Sequence, residues 1–263
     1  MFIRLRALLN SLVFPLWTAL CVSAALCIGW VTRDPQLFYR WQRGWARGLF
    51  KLCGIELEVH GAEHMQPDGA YVIVANHASY MDIPALFAAL PKLPQFMAKG
   101  ELARIPFLGA ALRAGRHILV RRGSHAAARH SLDNAAEHLK AGAAILIFPE
   151  GTRSTGDVIG RFKTGAFRLA KLGEVAILPV GISGTRHVLP KHGRTIEPRR
   201  VSVHIAPPLS REQVRDSGLN ELSERARALL AELSGLPLLG GRGHSSEEDD
   251  RSNDTRAIDS ARA

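Results

Sequence analysis

The sequence has few cysteines, and they form no functional pattern. Only three occur among 263 residues, at Cys21, Cys27 and Cys53. They are too few and too unevenly placed for a disulfide framework, so we expect the folded part to face a reducing compartment. A Cys-x-x-Cys pair is missing, which argues against a zinc ribbon. A P-loop and internal repeats of useful period are also missing.

Acidic residues are scarce relative to basic ones, and the net charge is +10. Residues 236–263 hold six acids and four arginines, so the rest of the chain carries +12. This excess favours an anionic partner such as nucleic acid, anionic lipid or a phosphorylated metabolite, and charge alone does not choose among them. Apolar residues make up 46% and charged residues 22%, values that exclude a wholly disordered chain, a collagen-like fibre and a coiled coil.

Residues 7–32 contain no charged side chain. As a helix this run would span about 39 Å, against about 30 Å for the apolar core of a bilayer. A signal peptide cleaved near Ala25 is an alternative, although the run is longer than a typical signal core. Since Asn10, Ser11 and Pro15 interrupt the first half, a straight crossing, a kinked span and a re-entrant hairpin all remain open.

The segments at the two ends differ from the middle of the chain. Residues 38–51 interleave aromatic and basic side chains, which suits a lipid headgroup interface, the alternative being a core helix with a basic outer face. Residues 240–263 have almost no apolar content and are expected to be disordered. We therefore predict a membrane anchor with an interfacial segment at 1–51, a folded domain at 52–235 and a disordered polar tail at 236–263.

Between these ends, predicted strands alternate with predicted helices. Such alternation predicts an α/β fold, with a mixed, mostly parallel sheet flanked by helices. The predicted strands cover residues 71–75, 95–98, 117–120, 144–148, 175–182 and 200–206. The predicted helices cover residues 82–90, 101–114 with a break at Pro106, 124–140, 164–172 and 211–234. Ligands of such sheets bind beyond the carboxyl ends of strands, which directs attention to the residues after Ala75 and Phe148.

The residues after Ala75 include a histidine and an aspartate, His77 and Asp82. Five residues apart in one helix, they would point about 140° away from each other and could not meet. They can meet if His77 lies in a turn and Asp82 in the first helical turn. The capping-box spacing of Ser79 and Asp82, or a helix starting near Ile83 with Asp82 as its cap, would allow this. The pattern predicts a base and its orienting carboxylate.

The residues after Phe148 are typical of an anion site. Gly151 lets the backbone approach a ligand, Thr152 can donate a hydrogen bond, and the planar fork of Arg153 matches a phosphate. Further cations lie nearby, at Arg121, Arg122, Arg161 and Lys163. The alternative interpretation of this cluster is a solvated basic rim.

These two segments carry a family resemblance. Residues 76–82 (NHASYMD) resemble the N-H-x-S-x-x-D block of glycerolipid acyltransferases, and residues 148–154 (FPEGTRS) resemble their F-P-E-G-T-R-S block. Weaker second and fourth blocks lie in the expected order at residues 99–109 and 177–180. The resemblance covers roughly residues 70–184, and the 1-acylglycerol-3-phosphate acyltransferase branch is the most similar.

The resemblance implies roles for the matching residues. His77 would be the general base and Asp82 its partner, while Glu150, Gly151 and Arg153 would bind the glycerophosphate acceptor. Arg122 matches an arginine of the family, whereas Arg121 stands where the family often has an acid, which makes the local electrostatic potential more positive. Ser79 is the alternative nucleophile, but it lacks the Gly-x-Ser-x-Gly elbow.

The resemblance also implies a reaction. A fatty acyl group would pass from acyl-CoA or acyl carrier protein to the 2-hydroxyl of 1-acylglycerol 3-phosphate, giving phosphatidate, with no metal and no cofactor. The expected partners are membrane lipids, lysophosphatidate and the acyl donor, and the catalytic domain is expected on the cytoplasmic face of the membrane (the inner membrane in a bacterium).

Two alternatives to this reaction remain. One is acylation of a lyso-ornithine lipid or of another lysophospholipid. The other is a non-catalytic basic module that binds membrane or nucleic acid. Nucleic acid is not expected as a partner, because few aromatic residues outside residues 38–50 are available to stack on bases.

Overall fold

The structure, a computed structural model, describes residues 2–32, 35–105, 108–120, 125–154 and 157–239. Seven strands form one sheet; in chain order they are β1 Glu56–His60, β2 Tyr71–Ala75, β3 Gln95–Lys99, β4 Ile118–Val120, β5 Ala144–Ile147, β6 Ala176–Ser183 and β7 Arg200–Ile205. Their spatial order is β1-β7-β6-β2-β5-β3-β4. All neighbours pair in parallel except β6 and β7. The predicted α/β fold with a mostly parallel sheet is confirmed.

Helices cover both faces of this sheet. They are α1 Phe2–Thr32, α2 Pro35–Cys53, α3 Asp82–Ala89, α4 Leu108–Ala114, α5 His125–Lys140, α6 Gly165–Gly173, α7 Thr185–Val188, α8 Arg211–Asp216 and α9 Leu219–Ser234. Short 3-10 helices lie at Ala62–His64 and Gly100–Arg104.

Strand β2 lies in the middle of the sheet, and all five of its residues are buried. Because side chains alternate along a strand, Tyr71, Ile73 and Ala75 join the core beneath α2 and α3, while Val72 and Val74 join the core beneath α5, α6 and α9. Each large apolar side chain buried in these cores stabilises the fold by about 1.5–3 kcal/mol. The end of β2 is therefore a rigid platform for the residues that follow it.

Most of the predicted helices and strands lie within a residue or two of the observed ones. The main differences are two elements that were not predicted and one predicted helix that is divided. Strand β1 was not predicted, because Glu56, Glu58 and His60 alternate with only two apolar residues at the edge of the sheet. Helix α7 was not predicted either. The predicted helix over residues 211–234 is divided into α8 and α9, because Ser217 is extended and the Glu221 side chain accepts the Gly218 N–H at the start of α9.

Helices α1 and α2 pack antiparallel to each other and against the domain. The indole N–H groups of Trp17, Trp41 and Trp45 donate within this pair, to Trp45 O, Cys21 O and Thr18 Oγ1. Leu49, Phe50 and Cys53 of α2 are part of the main core. The predicted boundary between residues 51 and 52 therefore falls inside a helix that joins the anchor to the domain.

The basic side chains of α2 contact protein rather than only solvent. Arg43 donates to the carbonyl oxygens of Leu90 and Pro91 at 2.7 and 2.6 Å, and Arg47 donates to Ala88 O at 3.4 Å. These carbonyls lie at the end of α3, where unpaired C=O groups favour a cation. Two of the basic residues that were predicted to face lipid headgroups thus stabilise the end of α3.

Helix α1 is long and apolar enough to cross a membrane between Leu5 and Cys27. Its exposed leucines recur every three or four residues and form one stripe, at Leu5, Leu8, Leu9, Leu12, Leu16 and Leu20. Asn10 lies on the opposite side, 2% exposed, and donates to Cys53 O and Ile196 O. The polar residues that interrupt the apolar run therefore face the domain.

The beginning of the predicted polar tail is structured. Leu238 bridges Ile159, and Ile159 also exchanges backbone hydrogen bonds with Pro237 and Leu239. Residues 236–239 are thus part of the fold, contrary to the predicted boundary, because this segment adds a short β bridge to residue 159. Residues 240–263 lie outside the described residues.

Candidate active site

His77 and Asp82 meet at the carboxyl end of β2. The strand ends at Ala75, the chain turns through residues 76–81, and α3 begins at Asp82. His77 Nδ1 lies 2.7 Å from Asp82 Oδ2. The predicted geometry of strand, turn and first helical turn is confirmed, since the turn brings His77 back to the first residue of α3.

The Asp82 carboxylate organises the whole turn. Its Oδ2 also accepts the backbone N–H groups of Ala78 and Ser79 at 2.8 and 2.9 Å, and its side chain is 1% exposed. The helix begins at Asp82 with Met81 as its N-cap, so the expectation of a start near Ile83 with Asp82 as the cap is wrong. The aspartate instead accepts from the turn that precedes its own helix.

Two other side chains fix the turn. Asn76 exchanges two hydrogen bonds of 2.8 Å with the backbone of Ile182 in β6. Ser79 Oγ accepts from Met81 N–H at 3.0 Å and donates to Leu189 O at 2.7 Å. With its hydroxyl committed to these partners, Ser79 is held as part of the scaffold of the turn.

The His77 ring is held on one face and reachable from solvent. It stacks on Phe148 with ring centroids 4.0 Å apart and planes 16° from parallel, and its side chain is 17% exposed. An ionised carboxylate can only accept, so Nδ1 carries the proton that is shared with Asp82. Nε2 then keeps its lone pair, which is the state that a general base requires.

Glu150 joins the two motif segments. Its Oε1 accepts the His77 N–H at 2.9 Å, and its Oε2 accepts the Gly160 N–H at 3.3 Å. Burial raises the pKa of the Glu150 carboxyl, while the two backbone N–H donors oppose that rise. A further link between the segments runs from Ser154 N–H to His77 O at 2.8 Å. Glu150 thus faces backbone donors, and acceptor binding by this residue stays a prediction.

Arg153 and Gly151 lie on the exposed side of this junction. The Arg153 guanidinium lies 3.7 Å above the centre of the Tyr80 ring, and Nη1 donates to Lys191 O at 3.2 Å. Gly151 has φ = 72°, a conformation that favours glycine, and the Lys163 side chain passes over it, with Nζ 3.1 Å from the place a Cβ would take. Arg153 therefore presents a guanidinium beside the His77 turn, and Lys163 brings an ammonium to the same segment.

The structure shows no ring contact or hydrogen bond to the His77 turn for the remaining predicted binding residues that it describes. Thr152 and Arg161 are exposed beside Gly151 and Lys163. Arg121 and Arg122 lie outside the described residues. Within the described part of the chain, no group of three or more His, Cys, Asp or Glu side chains is arranged to hold a metal ion.

Three residues that help to form this site were not assigned a role from the sequence. Phe148 and Tyr80 lie inside the two motifs. Because each motif holds an aromatic residue and the other holds a histidine or an arginine, these two ring contacts could have been predicted from the sequence. Lys191 gives no such signal, because it reaches Arg153 across 38 residues from a loop without a motif.

The chain is similar to known proteins in sequence and in fold. Residues 56–183 match the family model described as Acyltransferase. The 1-acyl-sn-glycerol-3-phosphate acyltransferase alpha of Bos taurus is 32% identical over 177 residues, which cover 67% of this chain and 62% of the bovine protein. The 1-acyl-sn-glycerol-3-phosphate acyltransferase of Saccharomyces cerevisiae is 32% identical over 180 residues, covering 67% of this chain and 59% of the yeast protein. The chain thus spans about three fifths of the length of these relatives.

A solved structure extends the similarity beyond the motif region. The crystal structure of the 1-acyl-sn-glycerophosphate (LPA) acyltransferase PlsC from Thermotoga maritima matches with a TM-score of 0.77 and 27% identity. The match covers 87% of this chain and 95% of the Thermotoga chain. Residues 56–183 thus form an acyltransferase domain, and the chain around it is similar to the 1-acyl-sn-glycerol-3-phosphate acyltransferases named above.

Proposed function

We propose that the protein transfers a fatty acyl group from a thioester, acyl-CoA or acyl carrier protein, to the 2-hydroxyl of 1-acylglycerol 3-phosphate, giving phosphatidate. The observation that carries this proposal is the 2.7 Å contact of His77 with Asp82 beside the cations Arg153 and Lys163. The relatives named for this reaction support the same acceptor.

The proposed reaction needs one base and one carboxylate. His77 Nε2 takes the proton of the glycerol hydroxyl, whose oxygen forms a bond to the thioester carbonyl carbon. The C–S bond then breaks, and the departing thiolate takes the proton back from the imidazolium. Asp82, fixed by two backbone N–H groups, orients the ring and stabilises the imidazolium while it exists.

We assign acceptor recognition to the cations beside this base. A phosphomonoester presents several oxygens, and the planar fork of Arg153 can bind two of them at once. Lys163 adds a point charge over Gly151, and Arg122 is expected to add a third cation by its match to the family. Glu150 is assigned to holding the His77 backbone, since both of its oxygens accept N–H groups.

We further propose that α1 places this site at a membrane, with the catalytic domain on the cytoplasmic face. The leucine stripe from Leu5 to Leu20 would contact lipid, while Asn10 on the other side binds the domain. An acceptor and product that reside in the bilayer would then reach the site without leaving the lipid surface.

The test is an acyl-transfer assay with purified protein in lipid vesicles, using both donors against 1-acylglycerol 3-phosphate, lyso-ornithine lipid and lysophosphatidylcholine. We expect phosphatidate to form fastest. The Arg153→Ala variant should raise the acceptor KM with a smaller effect on the donor KM, because it removes a phosphate ligand. Preference for an acceptor without a phosphomonoester would contradict the proposed substrate, and salt-sensitive lipid binding without turnover would contradict catalysis altogether.

A further inference from the structure

A loop between α7 and β7 is fastened to both motif segments and to α1. We call residues 189–196 the clamp loop. At its start Leu189 O accepts the hydroxyl of Ser79 at 2.7 Å. At its end the Ile196 N–H donates to Ser11 Oγ at 3.1 Å, and Ile196 O accepts from Asn10 Nδ2 at 3.1 Å. The loop is therefore anchored at both ends.

Backbone hydrogen bonds also close the clamp loop on itself. Glu197 N–H donates to Val188 O at 2.9 Å, which joins the two residues that flank the loop. Gly193 N–H donates to Pro190 O at 2.9 Å, which forms a turn around Lys191. A loop with fixed ends and an internal turn holds the Lys191 backbone in a defined place.

Lys191 and Arg153 bind each other reciprocally. Lys191 Nζ donates to Arg153 O at 2.7 Å, and Arg153 Nη1 donates to Lys191 O at 3.2 Å. The Tyr80 ring supports the guanidinium from below at 3.7 Å. The Arg153 backbone, its guanidinium plane and one of its nitrogens are thus fixed before any ligand arrives.

We propose that Lys191 is a positioning residue that holds Arg153 ready for the acceptor phosphate; this inference rests on the proposed function. A long arginine side chain that is free in solution loses rotamer freedom on binding, and prior fixation lowers that cost. A guanidinium has five N–H groups, so the bond from Nη1 to Lys191 O leaves others for phosphate oxygens. The ammonium of Lys191 acts through Arg153 rather than on the acceptor.

The first experiment compares Lys191→Met with a matched control, Lys92→Met. Lys92 is also half-buried and also donates to backbone carbonyls, those of Gly69 and Gly142, but at the opposite end of the strands. We expect Lys191→Met to raise the acceptor KM roughly 10-fold, with kcat and the donor KM changed less than about 3-fold. Lys92→Met should leave the acceptor KM at the parental value. Equal losses in kcat and both KM values for Lys191→Met would overturn the positioning role.

The second experiment is a double-mutant cycle with Arg153→Ala. If Lys191 acts through Arg153, Lys191→Met should change the acceptor KM less than about 2-fold once Arg153 is absent. Multiplicative effects of the two substitutions would mean that Lys191 contacts the acceptor itself, and would overturn the proposal. No effect of Arg153→Ala alone on the acceptor kcat/KM would instead contradict the proposed function.

A third measurement needs no activity. Amide hydrogen exchange over residues 150–154 should be faster in Lys191→Met than in the parent, because the bond to Arg153 O is lost, and unchanged in Lys92→Met. Unaltered exchange in Lys191→Met would overturn the clamp, whatever the kinetics show.

Discussion

Two histidines of this protein stack on phenylalanine rings, and only one of them is arranged to act as a base. His77 lies 4.0 Å from Phe148, and His117 lies 3.8 Å from Phe96, measured between ring centroids. His77 shares its Nδ1 proton with the Asp82 carboxylate, whereas His117 Nδ1 accepts the backbone N–H of Phe96 at 3.2 Å. The partner of Nδ1 therefore decides which ring nitrogen keeps a lone pair.

His117 is buried and holds the opposite tautomer. With Nδ1 accepting, the neutral ring carries its proton on Nε2, which lies 3.4 Å from Nε2 of the Gln42 amide. Gln42 Oε1 is buried without a partner among the described residues, and turning the amide by 180° lets that oxygen accept the Nε2 proton. Burial lowers the pKa of His117 to about 4. A histidine stacked on a phenylalanine is therefore not by itself a candidate base. What separates the two rings is whether Nδ1 donates or accepts and whether the ring is open to solvent.

The largest effect should come from His77→Ala. Removing the proposed general base should lower kcat by about 100- to 10,000-fold. The melting temperature should change little, because the ring is partly exposed and Asp82 keeps its two backbone donors. Initial rates in vesicles and thermal unfolding of the same preparation check both points. Near-parental turnover would rule out the proposed mechanism.

His117→Ala should reverse that pattern. The substitution leaves the Phe96 N–H without its acceptor and opens space between Phe96 and Phe87, which should lower the free energy of unfolding by about 2–4 kcal/mol. The kcat of the folded enzyme should stay within about 3-fold of the parent, because the hydrogen bonds and ring contacts of His117 go to Gln42, Phe87 and Phe96 rather than to the His77 turn. Denaturant unfolding measures the loss, and a collapse of kcat without loss of stability would break the comparison.

Asp82→Asn sharpens the role of the Nδ1 partner. The amide oxygen can keep the three N–H donors in place, but the charge that stabilises the imidazolium is lost. A hydrogen bond to a charged group contributes about 1.5–3 kcal/mol, so kcat should fall about 10- to 150-fold while the acceptor KM changes little. A rise in acceptor KM with kcat unchanged would instead place Asp82 in acceptor binding.

The contrast also indicates which parts of the site can be predicted from sequence. The pairing of His77 with Asp82 was predictable, because their spacing excludes a common helix and a buried strand directly precedes them. The buried tautomer of His117 was not, because its partners Gln42 and Phe96 come from α2 and β3, and no local pattern connects them to β4.

Two other features escaped prediction for the same physical reason. The aromatic and basic pattern of α2 fits a headgroup interface and the end of α3 equally well, and tertiary packing alone shows that Arg43 binds the carbonyls of α3. Strand β1 has a polar face at the sheet edge, and its pairing with β7 spans 144 residues between Glu56 and Arg200. Contacts across such separations leave no periodic signal in the sequence.

The smallest expected effect is a pH dependence of stability that belongs to His117. Its folded pKa of about 4 lies below the unfolded value of 6.5, so the unfolded state binds the proton more readily. Its contribution is therefore complete above pH 6.5 and is lost as the pH falls toward 4. Between pH 7 and pH 5.5 this histidine should lower the free energy of unfolding by about 1 kcal/mol. The His117→Gln variant can keep an acceptor for the Phe96 N–H but has no proton to bind. Its free energy of unfolding, measured by urea unfolding at each pH, should therefore fall by about 1 kcal/mol less than that of the parent over the same interval. Parallel losses in the parent and the variant would show that the two histidines differ less in burial than the stacking geometry and the contacts of Nδ1 imply.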